Sequence, residues 1–251
     1  VKWLGDDWGC TVVRAAMGVE PEKGYLDDPE WSQEKMEAVI AGAIENELYA
    51  IIDWHSHGIQ LEAAKRFFEA MSKKYGSYPH VIYEIFNEPV NDPWSVIKDY
   101  SVEVIRTIRQ NDPDNIILVG SPHWDQDIHL VADDPITGFD NLMYTLHFYA
   151  ATHAQSLRDR GNYALKKAIP LFVSECAGMS ANGNGPIDYK EWQRWIDWMK
   201  QNNISMVFWS IADKDETCSM LYPTASPTGN WSASDLKESG IKTRELLRGK
   251  Q

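Results

Sequence analysis

Seven apolar runs recur along the chain, and an amphipathic segment follows each of them. The runs are rich in Val, Ile, Phe and Tyr, and they are continuously apolar instead of alternating with polar residues. Continuous apolar character is typical of parallel strands that helices cover. The sequence therefore predicts strands over residues 10–17, 49–55, 80–88, 115–121, 142–150, 170–176 and 204–211.

The amphipathic segments carry apolar residues at helical spacing. In the first of them, Met36, Val39, Ile40 and Ala43 follow the i, i+3, i+4, i+7 pattern, and the Asp-Pro pair at 28–29 is suited to cap the helix and begin its first turn. Similar stripes follow the later runs. Alternating strands and helices predict a parallel α/β sheet in a single domain that covers residues 1–251.

Polar or aromatic side chains stand at or near the carboxyl ends of six predicted strands. In a (β/α)8 barrel that end of the strands carries the active site. Seven strands are predicted, however, and residues 1–9 resemble the end of a helix that precedes the first of them. The pattern predicts an N-terminally truncated (β/α)8 TIM barrel with about seven βα units and polar strand ends at Arg14, His55, Asn87, Glu88, His147, Tyr149, Glu175 and Trp209.

The balance of charge narrows the range of partners. The chain has 24 Lys and Arg residues against 37 Asp and Glu residues, which gives a formal net charge of −13. Nucleic acids and anionic membranes are bound by basic surfaces, so we expect neither as a partner. No apolar run reaches the roughly 18 residues of a membrane span. No signal peptide begins the chain, but a mature secreted protein would also lack one.

Cysteine and tryptophan content add to this picture. The 3 Cys residues are widely spaced, so they predict neither a disulfide framework nor a metal site. The 11 Trp residues are many for a chain of 251 residues. Indole rings fill cores, and their flat faces also form platforms for the C–H faces of sugar rings, so we expect both uses here.

Two glutamates, Glu88 and Glu175, each end an apolar strand. Their carboxylates are costly there unless other groups compensate for the lost hydration. Two carboxyl groups across a cleft can divide the roles of acid and nucleophile in glycosidic hydrolysis, and a separation of about 5–5.5 Å gives retention of configuration. Either glutamate could instead cap a helix or pair with a cation. By alternation, Asp53 and Glu84 are expected to be buried in the same polar network.

Four motifs resemble the strands of glycoside hydrolase family 5. They are VIYEIFNEP at 81–89, DWH at 53–55, LHFYAATH at 146–153 and FVSE at 172–175. The similarity is to the bacterial endo-β-1,4-glucanases of its subfamily 2 and covers nearly the whole chain. It implies a retaining enzyme that hydrolyses cellulose or related β-glucans without a cofactor, with Glu88 as the acid/base and Glu175 as the nucleophile.

The same resemblance implies supporting roles for other residues. Asn87 would hold the sugar 2-hydroxyl, and Arg14 would lower the pKa of Glu175. His147 and Tyr149 would order the site, with Tyr149 close to the nucleophile. The resemblance implies no catalytic metal, and no ligand spacing predicts a surface calcium ion. It further implies substrate-binding or supporting positions at His55, Trp124, His153, Trp209, Lys214 and Glu216.

Three features depart from the family pattern. Cys176-Ala177-Gly178 follows Glu175, where relatives often have Trp-Gly. Gly18 stands where relatives often have an aromatic residue. The expected first strand is missing, which would leave open sheet edges that natural proteins cover or pair. We therefore expect self-association that covers these edges.

Alternatives to an endo-glucanase remain open at the level of sequence. A mannanase, a licheninase or a xyloglucanase would use the same two glutamates. A non-catalytic glycan-binding protein derived from such an enzyme is a different class, and the intact Asn87, Glu88 and Glu175 disfavour it. The family acts outside the cell, so we expect a secreted protein.

Overall fold

The computed structural model describes residues 1–249, and these pack into two compact units. We name each after one of its residues. The Arg14 unit comprises residues 12–146 and 160–172. The Glu175 unit comprises residues 1–11, 147–159 and 173–249. The prediction of one domain over residues 1–251 stays a prediction, and its last two residues lie outside the described part.

Seven parallel strands are present in residues 1–249, and they follow one another in the sheet in chain order. Residue-by-residue pairing between the first two strands runs from Val12 opposite Tyr49 to Gly18 opposite His55. The strands are Val12–Gly18 (β1), Tyr49–His55 (β2), Val81–Glu84 (β3), Ile117–Val119 (β4), Leu142–Tyr149 (β5), Leu171–Ala177 (β6) and Met206–Phe208 (β7).

Helical segments alternate with these strands, as the periodicity predicted. The residues before β1 form a short helix, which confirms the helical character expected there. A 3₁₀ turn covers Ala233–Asp235. The α-helical segments are Lys2–Asp6 (α1), Pro29–Ile44 (α2), Leu61–Tyr75 (α3), Trp94–Arg109 (α4), Pro122–Asp125 (α5), Ile128–Asp133 (α6), Gln155–Lys166 (α7), Tyr189–Gln201 (α8) and Glu238–Arg248 (α9).

Helix α2 begins as the sequence predicted. The Asp28 side chain accepts a hydrogen bond from the Trp31 backbone N–H, and Pro29 occupies the first turn. This cap satisfies one of the amide donors that a helix start leaves unpaired. Met36 and Ile40 are buried on the same face of the helix. The cap and the apolar stripe together fix where α2 starts and which face it buries.

Strand β3 ends earlier than the sequence predicted. The prediction ran to residue 88, but the strand stops at Glu84, although Ile85 and Phe86 are fully buried. The backbone N–H of Asn87 donates to Trp54 O at 3.1 Å, and that of Glu88 donates to Ser56 O at 3.2 Å. The chain therefore leaves the strand geometry while its amides stay bonded to the end of β2. Strict alternation no longer holds there, so Asn87 and Glu88 are not forced onto opposite faces.

Aromatic packing organises the core of the Glu175 unit. The ring of Phe148 stacks on Trp195 with centroids 4.1 Å apart and an interplanar angle of 6°. The Arg158 guanidinium lies 4.9 Å from the centroid of Trp195. Trp8 meets Trp231 edge to face at 6.0 Å. Stacked and edge-to-face pairs contribute beyond the area they bury, which explains part of the tryptophan content.

A buried ion pair in the same unit predicts a pH-dependent stability. Glu191 Oε1 lies 2.6 Å from Arg158 Nη1, and Glu191 Oε2 accepts a hydrogen bond from Arg194 Nη1 at 2.7 Å. Burial alone would raise the pKa of Glu191, but the guanidinium groups of Arg194 and Arg158 hold that pKa below its ordinary value. A carboxyl of this kind stabilises the fold above its unfolded pKa, and the stabilisation is lost as the pH falls through the folded pKa.

We expect Glu191→Gln to lower the free energy of unfolding by about 1–3 kcal/mol at neutral pH. The difference from the unmodified protein should shrink as the pH falls below about 4, because the carboxyl is then protonated. Urea unfolding at both pH values measures the effect. Glu103→Gln, at a more exposed ion pair with Arg106, is the control and should change little. A Glu191→Gln difference that is the same at both pH values would contradict the argument.

Among residues 1–249, no helix combines the length and apolar character that crossing a membrane requires.

Candidate active site

A buried ion network in the Arg14 unit surrounds Arg14. Its Nε donates to Glu84 Oε2 at 2.6 Å, and one terminal nitrogen lies 3.0 Å from Asp53 Oδ2. The same nitrogen donates to Asn87 Oδ1 at 2.6 Å. The Arg14 side chain is 2% exposed, and those of Asp53 and Glu84 are fully buried. The expectation that Asp53 and Glu84 belong to a buried polar network is confirmed.

His55 is oriented by this network. Its Nδ1 lies 2.8 Å from Asp53 Oδ2, so Nδ1 carries the proton and donates to the carboxylate. Burial raises the pKa of Asp53, Arg14 lowers it, and the neighbouring Glu84 charge raises it again. The net direction is upward, because two buried carboxyl groups share one guanidinium. Because Nδ1 donates to Asp53, Nε2 is the ring nitrogen of His55 that faces other groups.

The side chain of Asn87 is held through its carbonyl oxygen, whereas its amide nitrogen has no acceptor among the described residues. Oδ1 accepts from Arg14, which assigns the two ends of the side chain, and the residue is fully buried. In the described part of the chain, Nδ2 has no hydrogen-bond acceptor. A buried donor without an acceptor is costly unless a ligand supplies one. The Asn87 amide is therefore suited to donate to an oxygen of a bound molecule.

Glu88 follows Asn87 and is more exposed than the acids of the network. Its side chain is 13% exposed, and its Oε2 lies 3.3 Å from Nε2 of His57. The sequence motifs do not single out His57 as a residue of the site. The signal that could have found it is its position two residues beyond His55, at the end of β2.

Glu175 near the end of β6 is held by Tyr149 from the end of β5. The Tyr149 hydroxyl donates to Glu175 Oε1 at 2.7 Å, and the Glu175 residue is 5% exposed. A ring nitrogen of His147 and a carboxylate oxygen of Glu175 lie within 4.8 Å of each other. His147 Nε2 is 2.8 Å from the Ser174 hydroxyl. The predicted closeness of Tyr149 to Glu175 is present in the structure.

His153 supports the backbone of Tyr149. Its Nδ1 accepts from the Tyr149 N–H at 2.9 Å, and its carbonyl accepts from Trp195 Nε1 at 2.8 Å. The first bond assigns Nδ1 as the acceptor of a neutral imidazole. His153 therefore positions the residue whose hydroxyl bonds Glu175.

Trp209 packs at the end of β7 against a small buried cluster of Tyr149, Ala177, Met179 and Cys218. The Trp209–Ser210 peptide bond is cis. Burial raises the pKa of the Cys218 thiol to about 12, and the charge of Glu216 adds to this shift. A thiol with that pKa is not ionised at neutral pH, so Cys218 fills part of the core and does not act as a nucleophile.

Trp124 lies in α5, a single turn whose backbone is left-handed and not regular α-helix. Three consecutive residues, His123, Trp124 and Asp125, have φ values of 59°, 54° and 58°. This left-handed region is unfavourable for residues other than glycine, and such strain is concentrated at functional sites. The Trp124 N–H donates to Pro89 O at 3.0 Å, and the side chain is exposed.

Lys214 and Glu216 lie on the segment after β7. Lys214 is exposed, and Glu216 accepts from the Ser219 hydroxyl at 3.1 Å. Lys237 Nζ donates to the carbonyl of Lys214 at 2.5 Å and to that of Glu216 at 3.2 Å. Lys237 therefore holds the segment that carries the two residues, which sequence alone did not indicate.

The residues after Glu175 are closely packed. A Cβ on Gly178 would lie 2.3 Å from the Trp192 ring, so that position has no room for a side chain. Cys176 is buried, and its Sγ lies 3.3 Å from Val207 O. At Gly18 an added Cβ would make only an ordinary contact with Pro21 at 3.5 Å, so packing does not require a glycine there.

Comparison with known proteins gives a consistent result. Residues 1–215 match the family described as cellulase, glycosyl hydrolase family 5. The chain is 47% identical to Endoglucanase A of Evansella cellulosilytica over 256 residues, which cover 99% of this chain and 52% of that protein. It is 44% identical to Endoglucanase Z of Dickeya dadantii, over 99% of this chain and 57% of that protein. The chain thus spans about half the length of these curated relatives.

Solved structures agree with the predicted fold. A protein from Cytophaga hutchinsonii superposes with a TM-score of 0.97 at 47% identity, over 99% of this chain and 82% of that one. The catalytic domain of Thermobifida fusca endoglucanase Cel5A superposes with a TM-score of 0.92 at 32% identity, over 98% of this chain and 84% of that one. The prediction of a (β/α)8 fold class with seven visible βα units is confirmed.

Proposed function

Because the chain belongs to glycosyl hydrolase family 5, we propose that it is a retaining endo-glucanase that hydrolyses internal β-1,4-glucosidic bonds of cellulose or related β-glucans. The observation that carries the proposal is the pair Asn87–Glu88 just beyond β3 together with Glu175 near the end of β6, in a chain 47% identical to an endoglucanase. The activity of the whole protein is part of the proposal, since its relatives are longer.

The proposed mechanism has two displacements. Glu175 attacks the anomeric carbon while Glu88 gives its proton to the leaving oxygen, and a glycosyl ester forms on Glu175. Glu88 then takes a proton from water, which attacks the same carbon and releases Glu175. Retention requires the two carboxyl groups to stand about 5–5.5 Å apart. Two carboxyl groups suffice for this chemistry, so the proposal includes no cofactor.

The neighbouring side chains have roles that follow from their contacts. Tyr149 donates to Glu175 Oε1 and so orients the carboxylate for the attack. Asn87 Nδ2 is a buried donor, suited to the sugar 2-hydroxyl. A hydrogen bond to that hydroxyl strengthens in the oxocarbenium-like transition state. Arg14 keeps Asn87 in the orientation that this bond requires.

Further residues are proposed as substrate contacts. His55 and Trp209 would bind the sugar before the scissile bond, and Trp124 would stack on the leaving-group side. Lys214 and Glu216 would contact more distant sugars. The exposed face of Trp124 supports this assignment, since sugar rings stack on flat aromatic surfaces.

A substrate panel tests the proposal. We expect the purified chain to release reducing sugars from carboxymethylcellulose and barley β-glucan, and Glu88→Gln to release about 10³-fold fewer per unit time. Preference for galactomannan or xyloglucan would correct the substrate to that of a mannanase or a xyloglucanase. Binding of cello-oligosaccharides without release from any polysaccharide would overturn the enzyme assignment in favour of a glycan-binding protein.

We also propose that the enzyme is secreted and acts on its polymer without nucleic acid or membrane partners. A cellulose chain is too large to enter a cell, and a net charge of −13 disfavours polyanions. Residues 12–18 of β1 pair with β2 on one side and with no other strand of residues 1–249 on the other. An unpaired edge invites pairing, so we propose self-association there. Sedimentation velocity that shows a stable, active monomer would contradict that part.

A further inference from the structure

A groove in the Glu175 unit lies between the start of α8 and the first turns of α9. We name it the α8–α9 groove. Its volume of about 500 Å³ falls in the range of about 300–1,000 Å³ that ligand pockets occupy. None of its residues belongs to the proposed catalytic or subsite groups. It is lined by Tyr189, Tyr222, Leu236, Glu238, Ile241, Lys242 and Glu245.

Two tyrosine rings are displayed in this groove, and Tyr189 is anchored through its hydroxyl and Tyr222 through its backbone. Tyr189 is 43% exposed and Tyr222 is 46% exposed. The Tyr189 hydroxyl donates to the Glu238 carboxylate. The Tyr222 N–H donates to Asp235 O at 2.9 Å, and the adjacent Leu221 bridges to Leu236. Aromatic groups that are exposed but anchored lose little conformational freedom when they bind a ligand.

The charged lining of the groove favours a neutral ligand. Glu238, Ile241, Lys242 and Glu245 stand at i, i+3, i+4 and i+7 on one face of α9. Two carboxylates and one ammonium supply hydrogen-bond acceptors and donors without an excess of positive charge. Anionic polymers need such an excess, whereas sugar hydroxyls pair with both kinds of group. Burial, with the Glu238 hydrogen bond, raises the pKa of Tyr189 to about 12, so its hydroxyl remains a donor.

The position of the groove relates it to the proposed chemistry. Tyr189 begins α8, which follows β6 and its Glu175. Glu238 begins α9, the helix that follows β7 in the chain, and Trp209 comes directly after β7. Because the helices of βα units begin at the carboxyl edge of the sheet, the starts of α8 and α9 in this groove lie toward the edge to which β6 delivers Glu175.

We propose that the α8–α9 groove is a second, non-catalytic binding site for a β-glucan chain, in which sugar rings stack on Tyr189 and Tyr222 and their hydroxyls bond Glu238, Lys242 and Glu245. This rests on the proposed function, because the ligand is the same polymer. Such a site holds the enzyme on its substrate between cleavage events, by raising the effective concentration of chain segments near Glu175.

Affinity electrophoresis in gels that contain barley β-glucan tests the groove. The unmodified groove and its variants are compared in a Glu175→Gln background, so that the gel polymer is not cut. We expect Tyr222→Ala to weaken retardation by about five- to tenfold in apparent Kd. Tyr222→Phe keeps the ring and should stay within about twofold. Tyr78→Ala, which removes another tyrosine with 41% exposure outside the groove, should leave retardation unchanged.

The possible results test the proposed binding site independently of the proposed catalytic function. In the background with Glu175 intact, Tyr222→Ala should turn over cellotetraose as fast as the unmodified chain, and thermal melting verifies its fold. Retardation that does not depend on Tyr222, or no retardation in any β-glucan gel, would overturn the proposed binding site even if the chain hydrolyses β-glucan. Retardation that depends on Tyr222 in a chain that cuts no β-glucan would retain the groove and reject the proposed function.

Discussion

Glu175→Gln is expected to lower turnover of a soluble β-glucan by about 10⁴- to 10⁶-fold, the size of loss seen when a nucleophile is removed. The amide cannot form the glycosyl ester on which the first displacement depends. Its carbonyl oxygen can still accept from the Tyr149 hydroxyl, which donates to Glu175 Oε1 at 2.7 Å. The variant should therefore fold as the unmodified chain does, and circular dichroism melting verifies this.

The matched experiment uses azide to distinguish the two glutamates. With an activated aryl β-glucoside, Glu175→Ala should be rescued by azide, which attacks the anomeric carbon in place of the carboxylate and gives the inverted, α-glycosyl azide. Glu88→Ala should still form the glycosyl enzyme, so azide then takes the place of water and gives the β product. Turnover by Glu175→Gln above about a tenth of normal would show that Glu175 is not the nucleophile. The same azide product from both alanine variants would contradict the roles assigned to Glu88 and Glu175.

Strand positions were predictable where apolar runs end sharply. Strand β2 was predicted at 49–55 and occupies Tyr49–His55. The prediction for β3 overshot because Ile85 and Phe86 are as apolar and as buried as the strand itself. What ends β3 is tertiary: the amides of Asn87 and Glu88 bond the chain near the end of β2. Hydrophobicity along the chain contains no information about these backbone hydrogen bonds.

The candidate site was predictable residue by residue but not bond by bond. Motifs identified Glu88, Glu175 and Tyr149, and the Tyr149–Glu175 hydrogen bond agrees with them. No motif links His57 to Glu88, although their side chains are in contact. No motif links Lys237 to the segment after β7, although Lys237 donates to the carbonyl of Lys214 there. The α8–α9 groove was missed for the same reason, since the fold brings Tyr189 to Glu238, 49 residues later in the chain.

Arg14→Met is expected to lower the free energy of unfolding by about 3–5 kcal/mol at neutral pH. Its guanidinium bonds Glu84 Oε2 at 2.6 Å and lies 3.0 Å from Asp53 Oδ2, and both carboxyl side chains are fully buried. Without the cation, two buried carboxylates face each other with no guanidinium between them, and ionising both of them becomes costly in the folded state. Asn87 also loses the donor that orients its carbonyl.

The pH dependence of this variant distinguishes lost charge compensation from lost packing. In Arg14→Met the folded pKa values of Asp53 and Glu84 would lie above their unfolded values. A carboxyl with a raised pKa destabilises the fold as the pH rises through the ordinary value toward the folded one. The deficit relative to the unmodified chain should therefore be largest near pH 8 and smallest near pH 4, measured by urea unfolding. Arg106→Met, an exposed arginine paired with Glu103, should change stability by no more than about 0.5 kcal/mol. A deficit for Arg14→Met that matched this control, or that did not vary with pH, would show that the network does not depend on the Arg14 charge.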